Sequence, residues 1–394
     1  MVDQVFRTTQ QGFFSRVGNS ILGVVVGLVL VPASVCLICW NEYRTVHRSK
    51  GLMEAEKVVV EVPDPFEISK SLDQCLVHFT GKATTEETLA DDEFSLSRQA
   101  LRIERQVEMY QWVEHEESKT RDKLGGGRET ITTYTYELAW KPDRVESQRF
   151  EKKDGHTNPQ PRYSSRSLVA QRATIGAFVF RPQLISTIQA WQGIQLEKET
   201  LLNSISESTR KHFAIQGDRL AYSEDGSLSS EPKMGDLRIQ FRVVEPLVVS
   251  LLSKQNGERL DPYRTSNGET IEDVQVGEIS AHGMFDSLRL ENSIMGWIWR
   301  GVGWLLSCIG FALATGPLKA VAKIIPFMGS IVGAATLALA FLLGTIVSLV
   351  TVAMAWIAVR PIVGVSLLVI AALGLYLLLR RKRSPELPMA VLAE

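Results

Sequence analysis

The sequence predicts a multi-pass α-helical membrane protein with a large β-rich (α+β) extracytoplasmic domain. Three observations carry that prediction. No charged side chain occurs from Ser20 to Cys39, and a helix needs about 20 such residues to cross a bilayer. Beyond Arg300 the only charges before the basic tail are Lys319, Lys323 and Arg360. Between the two apolar regions, polar and apolar residues alternate with the period of half-buried strands.

The chain has 394 residues, a formal net charge of −1 and 45% hydrophobic residues. That charge balance argues against a nucleic-acid partner, which calls for Lys and Arg concentrated on one face. The 41–293 stretch has room for one large domain or two small ones. Of the four cysteines, Cys36, Cys39 and Cys308 lie in apolar runs, which leaves Cys75 alone in the polar middle. The middle domain therefore holds no internal disulfide and relies on its core. Cys36 and Cys39 form a C-x-x-C, but on a membrane helix it lacks the βα setting of a redox motif.

Residues 1–19 are expected to be cytoplasmic and 20–40 to form the first span. A cleaved signal peptide is the alternative there, but the apolar run outlasts a typical h-region of about 7–15 residues. Gly23 and Gly27 form a GxxxG, and Pro32 is expected to kink the helix. The second span covers 294–318, with Arg300 snorkelling to the interface beside Trp297 and Trp299. Lys319 and Lys323 mark a basic loop over 319–328. The third span covers 329–358 and carries Gly329 and Gly333, a second helix-packing pair. Such pairs serve contacts within one chain or between copies equally well. Arg360-Pro361 breaks the run before a fourth span at 362–379 and a basic tail at 380–394.

Four spans gather Arg7, Arg16, both loop lysines and the tail on one side, which the positive-inside rule makes cytoplasmic. The 41–293 domain then faces outward or into a lumen. Trp40, Trp297, Trp299, Trp304 and Trp356 fall near the domain-side ends of their spans, as an interfacial belt does. The tail reads as a stop-transfer anchor, with a nuclear address or an anionic-lipid site as alternatives.

Within the domain, Leu101 to Glu117 reads as a long strand with Leu101, Ile103, Val107, Met109 and Val113 on one face. A partner begins at Thr130, with Tyr134, Tyr136, Leu138 and Trp140 on one face. Gly125-Gly126-Gly127 lies in the loop between them and lacks the Lys-Ser/Thr of a phosphate cradle. Further strands are expected at 57–62, 74–79, 213–222 and 237–244, with a hairpin over 248–262 turning at Asn256-Gly257. Helices are expected at 183–208 and at 279–294, the latter with a stripe of Ile279, Met284, Leu288 and Ile294.

Chemistry is sparse. His115 among Glu114, Glu116 and Glu117 invites a metal reading, but neighbours on a strand point to opposite faces and no H-E-x-x-H is present. His156 lies on a turn beside Asn158-Pro159, where fixing the loop outweighs catalysis. No serine or cysteine nucleophile comes with a partner motif. No cofactor motif, metal set or catalytic set is assigned.

Four motifs nevertheless carry a resemblance. Val107 to Ser118, which includes Glu108, Tyr110 and Trp112, is followed by Gly155-His156-Thr157-Asn158-Pro159. Gly235-Asp236 then opens a run to Phe241, and Arg360-Pro361 separates the last two spans. In content and order these resemble the transmembrane protein 43 family, also called LUMA, over about Gly12 to Arg380. The resemblance implies a four-span protein of the endoplasmic reticulum and inner nuclear membrane that organises the nuclear envelope with emerin and lamins. It implies no enzymatic activity. The family also has bacterial members, and the outward domain has no Asn-x-Ser/Thr sequon, so a bacterial inner membrane is the second setting considered. There the nuclear partners do not exist.

The expected function is a non-enzymatic membrane organiser or assembly scaffold, partnered by the bilayer and by a homo-oligomer or other membrane proteins. The alternative is a lipid or small-ligand sensor using the β-rich domain. A hydrolase built on His156 and nearby acids is a distant third.

Overall fold

The computed structural model describes residues 3–123, 127–194, 210–226, 231–322 and 328–357, with positions 365–366, 369–370, 372–374 and 376. Contacts divide the chain into two compact units. A β-rich unit holds residues 1–7, 51–119 and 131–288, and a helical unit holds 8–50, 120–130 and 289–394.

Strand β1 (Asp3–Gln11) precedes helix α1 (Phe13–Val58). Next come β2 (Val60–Glu61), β3 (Leu76–Thr84), β4 (Thr88–Asp91) and β5 (Leu96–Gln99). The long strands β6 (Arg102–Asp122) and β7 (Arg128–Lys141) follow. Shorter strands β8 (Arg166–Val169), β9 (Ala173–Ile175) and β10 (Phe178–Phe180) lead to helix α2 (Pro182–Ile185) and β11 (Gln192–Gly193). Then come β12 (Phe213–Gln216), β13 (Arg219–Tyr222), β14 (Leu237–Val244) and β15 (Leu247–Asn256). Strands β16 (Arg259–Asp261), β17 (Tyr263–Arg264), β18 (Thr270–Ile271) and β19 (Asp273–Val276) close the β-rich sequence. The rest is helical: α3 (Ala281–Ala314), α4 (Gly316–Ala322) and α5 (Met328–Ile357).

One sheet runs β1-β7-β6-β14-β13-β12, with β8 on β6 and β11 on β14. The other runs β19-β15-β16-β10-β9-β3-β2, and β15 also pairs with β3. That extra pairing closes β15, β16, β10, β9 and β3 on themselves, which removes their free edges as a barrel does. The closed sheet encloses Val77, Phe79, Ile175, Phe178 and Leu251, with Phe79 and Phe178 stacked at 4.8 Å.

The first sheet's inner face follows from the two-residue period of its strands. The register sets Ile239 opposite Val107 and Leu237 opposite Met109, and these pack with Ile103, Leu220 and Phe241. Arg105 shares their parity yet is also buried. It donates to Asp91 at 2.8 Å and to the Ser164 carbonyl at 2.9 Å, with its guanidinium over the Phe94 ring. Burial pushes the Asp91 carboxyl above its ordinary value, while Arg105 pulls it down.

Several expectations change. The helix expected over 183–208 is, in its described part, the single turn α2 followed by β11; residues 195–209 lie outside the described residues. The 213–222 strand is a hairpin, β12 and β13, turning at Gly217 with φ 66°. Only Val60–Glu61 of the 57–62 segment is strand, because α1 runs to Val58 and passes through Pro32 unbroken. Asp3–Arg7 belongs to the β-rich unit and β1 to the eight-stranded sheet.

In the helical unit, three helices are long and apolar enough to cross a membrane: Gly18–Val58, Ala281–Ala314 and Ile331–Ile357. In the region of the expected 362–379 span, the described positions are helical. Small residues bring α1 onto α3. A Cβ on Gly27 would meet the Gly310 carbonyl at 2.5 Å, and one on Gly303 would meet Ile38 at 2.4 Å. Gly23 sits looser, 3.8 Å from Leu313, and Gly333 has nothing within 4 Å. Gly27→Ile should therefore lower the thermal midpoint of the solubilised protein, at about 1–3 kcal/mol for overpacking. Gly333→Ile should leave it unchanged. Equal midpoints for the two variants would remove Gly27 from the helix contact.

Candidate functional site

Residues of the three soluble-domain motifs converge on the outer face of the eight-stranded sheet. On β6, Glu108, Tyr110 and Trp112 point away from the Val107–Met109 core, as alternation requires. His156 and Asn158 of the 142–159 segment pack against Trp112. Asn158 anchors the segment by accepting from the Trp112 amide at 2.8 Å and donating to the Trp112 and Val145 carbonyls at 3.0 and 3.1 Å. Arg144 donates to the carbonyls of Pro159 and Asn158. Gln111 bridges the Asp143 carbonyl and the Val145 amide.

His156 is buried between two rings, with centroids 4.6 Å from Trp112 and 4.2 Å from Tyr136. Its Nε2 lies 3.5 Å from Asp3 on β1, and its Nδ1 has no hydrogen-bond partner. Tyr136 donates to Glu114 at 2.6 Å, and Glu114 also accepts the Glu151 amide. Burial and that carboxylate push the Tyr136 phenol up to about 12. Lys152 pairs with Asp3 at 2.5 Å and holds the Asp3 carboxyl below its ordinary value.

The third motif closes the face from the β14 side. Tyr110 exchanges backbone bonds with Gly235 and Asp236 at 2.8 Å each. Gly235 has φ 94° and would bring a Cβ within 3.3 Å of Pro159, so this turn favours glycine on two counts. Arg238 pairs with Glu108 across the strands and covers the Trp140 ring at 4.7 Å. His115, weighed as a metal ligand, is exposed and bonded to Glu137 at 2.8 Å. Among the described residues no group of three or more His, Cys, Asp or Glu is placed to hold a metal. Gly155 takes a φ of 81° in the covering loop. Gly329 is the second residue of α5, and Arg360 and Pro361 lie outside the described residues.

The Asp3 pair has a testable sign. A carboxylate whose folded pKa is depressed stabilises above its unfolded value of 3.8, and the contribution is lost as pH falls through the folded value. At pH 7, Asp3→Asn should speed hydrogen exchange in β1. The gap from the unmodified chain should close in acid. A gap that stays the same at pH 3 would detach Asp3 from β1 seating.

A second polar site was not anticipated. In the helical unit Glu42 is buried, accepts two bonds from Arg300 and accepts the Trp356 indole N–H. Arg300 also lies over the Trp297 and Trp356 rings at 4.8 and 5.1 Å. Its side chain is only 11% exposed. Asn41 donates to the Gly296 carbonyl and Asn292 to that of Thr45. Opposite charges at the ends of two apolar runs were the available signal, since charge at membrane depth calls for a partner.

Comparison with known proteins agrees with this construction. The model of the family described as transmembrane protein 43 matches residues 109–361. The chain is 29% identical to human transmembrane protein 43 over 394 residues, covering 97% of this chain and 95% of that one. The mouse protein is 30% identical, covering 90% and 88%. A Drosophila melanogaster homolog is 28% identical, covering 88% and 91%. No solved structure matches the chain. The chain belongs to the transmembrane protein 43 family.

Proposed function

We propose that this protein is a non-enzymatic membrane organiser, an assembly scaffold that displays its β-rich unit from membrane-anchored helices. The supporting observation is the use made of the side chains around the 142–159 loop. Asn158, Arg144, Gln111 and Tyr136 commit their polar atoms to seating the 142–159 loop on the sheet. This builds a firm surface, the property that partner recognition needs. The relatives reported above are animal proteins, which favours the endoplasmic reticulum and inner nuclear membrane over a bacterial inner membrane. In that setting emerin and lamins are the partners to seek. The β-rich unit faces the lumen, and the 380–394 tail faces the cytoplasm.

Affinity purification from native membranes with lipids retained tests the scaffold. The unmodified chain should recover membrane-protein partners, and Asn158→Ala, which unseats the outer face, should lose them while remaining in the membrane. Recovery of the same partners by both would move the platform elsewhere. An impermeant thiol reagent tests the sidedness. Cysteines introduced at Gly155 and at Ala390 should react from opposite sides.

A further inference from the structure

Beside the covered aromatic face, the same sheet leaves a cleft of about 350 Å³ between β7, β13 and β14. That is within the range of small-molecule sites, about 300–1,000 Å³. Trp140, Asp218, Arg219, Asp236 and Arg238 line it. Ala221 is paired with Arg238, and Arg219 with Gln240, so the two arginines are diagonal neighbours on one face. Such neighbours stand about 7–8 Å apart, within joint reach of one anionic group.

The donors and acceptors of the cleft define what it takes. Arg238 gives its Nε to Glu108 and keeps its two terminal nitrogens for the cleft. Arg219 lies 4.0 Å from Asp218, beyond hydrogen-bond range, so its planar fork is uncommitted. One oxygen of Asp218 accepts from Gln240 at 2.7 Å, and one of Asp236 accepts the Lys233 amide at 2.7 Å. Each carboxylate retains its other oxygen. Two guanidinium donors thus face two carboxylate acceptors in one cleft. A plain anion meets repulsion from the aspartates, and a plain cation meets it from the arginines.

We propose that this cleft binds a small zwitterion, with a phosphate seated on Arg219 and Arg238 and an ammonium group facing Asp218. The same chemistry occurs in a free phosphoamine and in a phosphoethanolamine lipid headgroup. The inference is independent of the scaffold reading, because it concerns the open part of the face and not the seated loop.

The test uses the full chain in phosphatidylcholine nanodiscs, titrated with O-phosphoethanolamine by calorimetry and tryptophan fluorescence. The unmodified chain should bind it more tightly than inorganic phosphate. Arg219→Gln should weaken binding about tenfold or more, the effect of losing a charged hydrogen bond. Asp218→Asn should weaken phosphoethanolamine and spare inorganic phosphate. Trp140→Phe should remove the fluorescence change while calorimetry still reports binding. Vesicles containing phosphatidylethanolamine separate the sources: capture by vesicles alone assigns a headgroup, and binding of the free molecule alone assigns a soluble ligand. Binding of neither, equal affinity for inorganic phosphate, or an Arg219→Gln protein that binds like the unmodified chain would overturn the site.

Discussion

Arg300→Leu should deplete the folded protein from the membrane almost completely. The Glu42 side chain is 2% exposed and held by two bonds from Arg300. Removing the guanidinium leaves a carboxylate in a helical seam with only the Trp356 N–H to meet it. Breaking a buried pair from one side costs about 3–5 kcal/mol, a large part of a folding margin of about 5–15 kcal/mol. The double change Glu42→Gln/Arg300→Leu removes both charges and keeps an acceptor for Trp356, so it should recover most of the loss. Monodisperse yield and thermal midpoint report both variants. If the single and double variants accumulate alike, the pair does not hold these helices together.

Met109→Asp should prevent the β-rich unit from reaching its native state. Met109 is 3% exposed, opposite Leu237 and packed with Val107 and Ile239. An aspartate there sets a carboxylate against Leu237 and Ile239, and burying an unpaired carboxylate costs several kcal/mol. Glu108→Lys, one residue away, places a lysine against Arg238 on the outer face and costs about 1 kcal/mol. Circular dichroism of the two variants through a thermal ramp separates them. Coincident curves would mean that β6 does not present these residues to opposite faces.

The inner face of β6 was legible because its period is local: Ile103, Val107 and Met109 recur at even spacing within one strand. Arg105 breaks that row, and its partner Asp91 lies in another strand, so no local pattern explains its burial. The motif residues were legible as unusual words. Their meeting depends on the loop at 142–159 and the turn at Gly235, which alternation does not encode. The 183–208 segment failed for the opposite reason. A mildly helical pattern there yields to Gln192–Gly193 adding to β14, a tertiary override of propensity. Strand β1 gave no signal, since its residues are mostly exposed and it is held by backbone pairing and the Asp3–Lys152 contact.

Synthesis reverses the spatial order of that edge. Strand β1 is translated first, and the end of β7, its neighbour in the sheet, arrives about 130 residues later. At about 5–20 residues per second, the delay is from several seconds to about half a minute. Throughout that time the N-terminal segment has no sheet to join, while the apolar part of α1 is already available to lipid. The first strand made is thus seated only after the seventh. Any cargo fused ahead of Asp3 must leave β1 free to find its place.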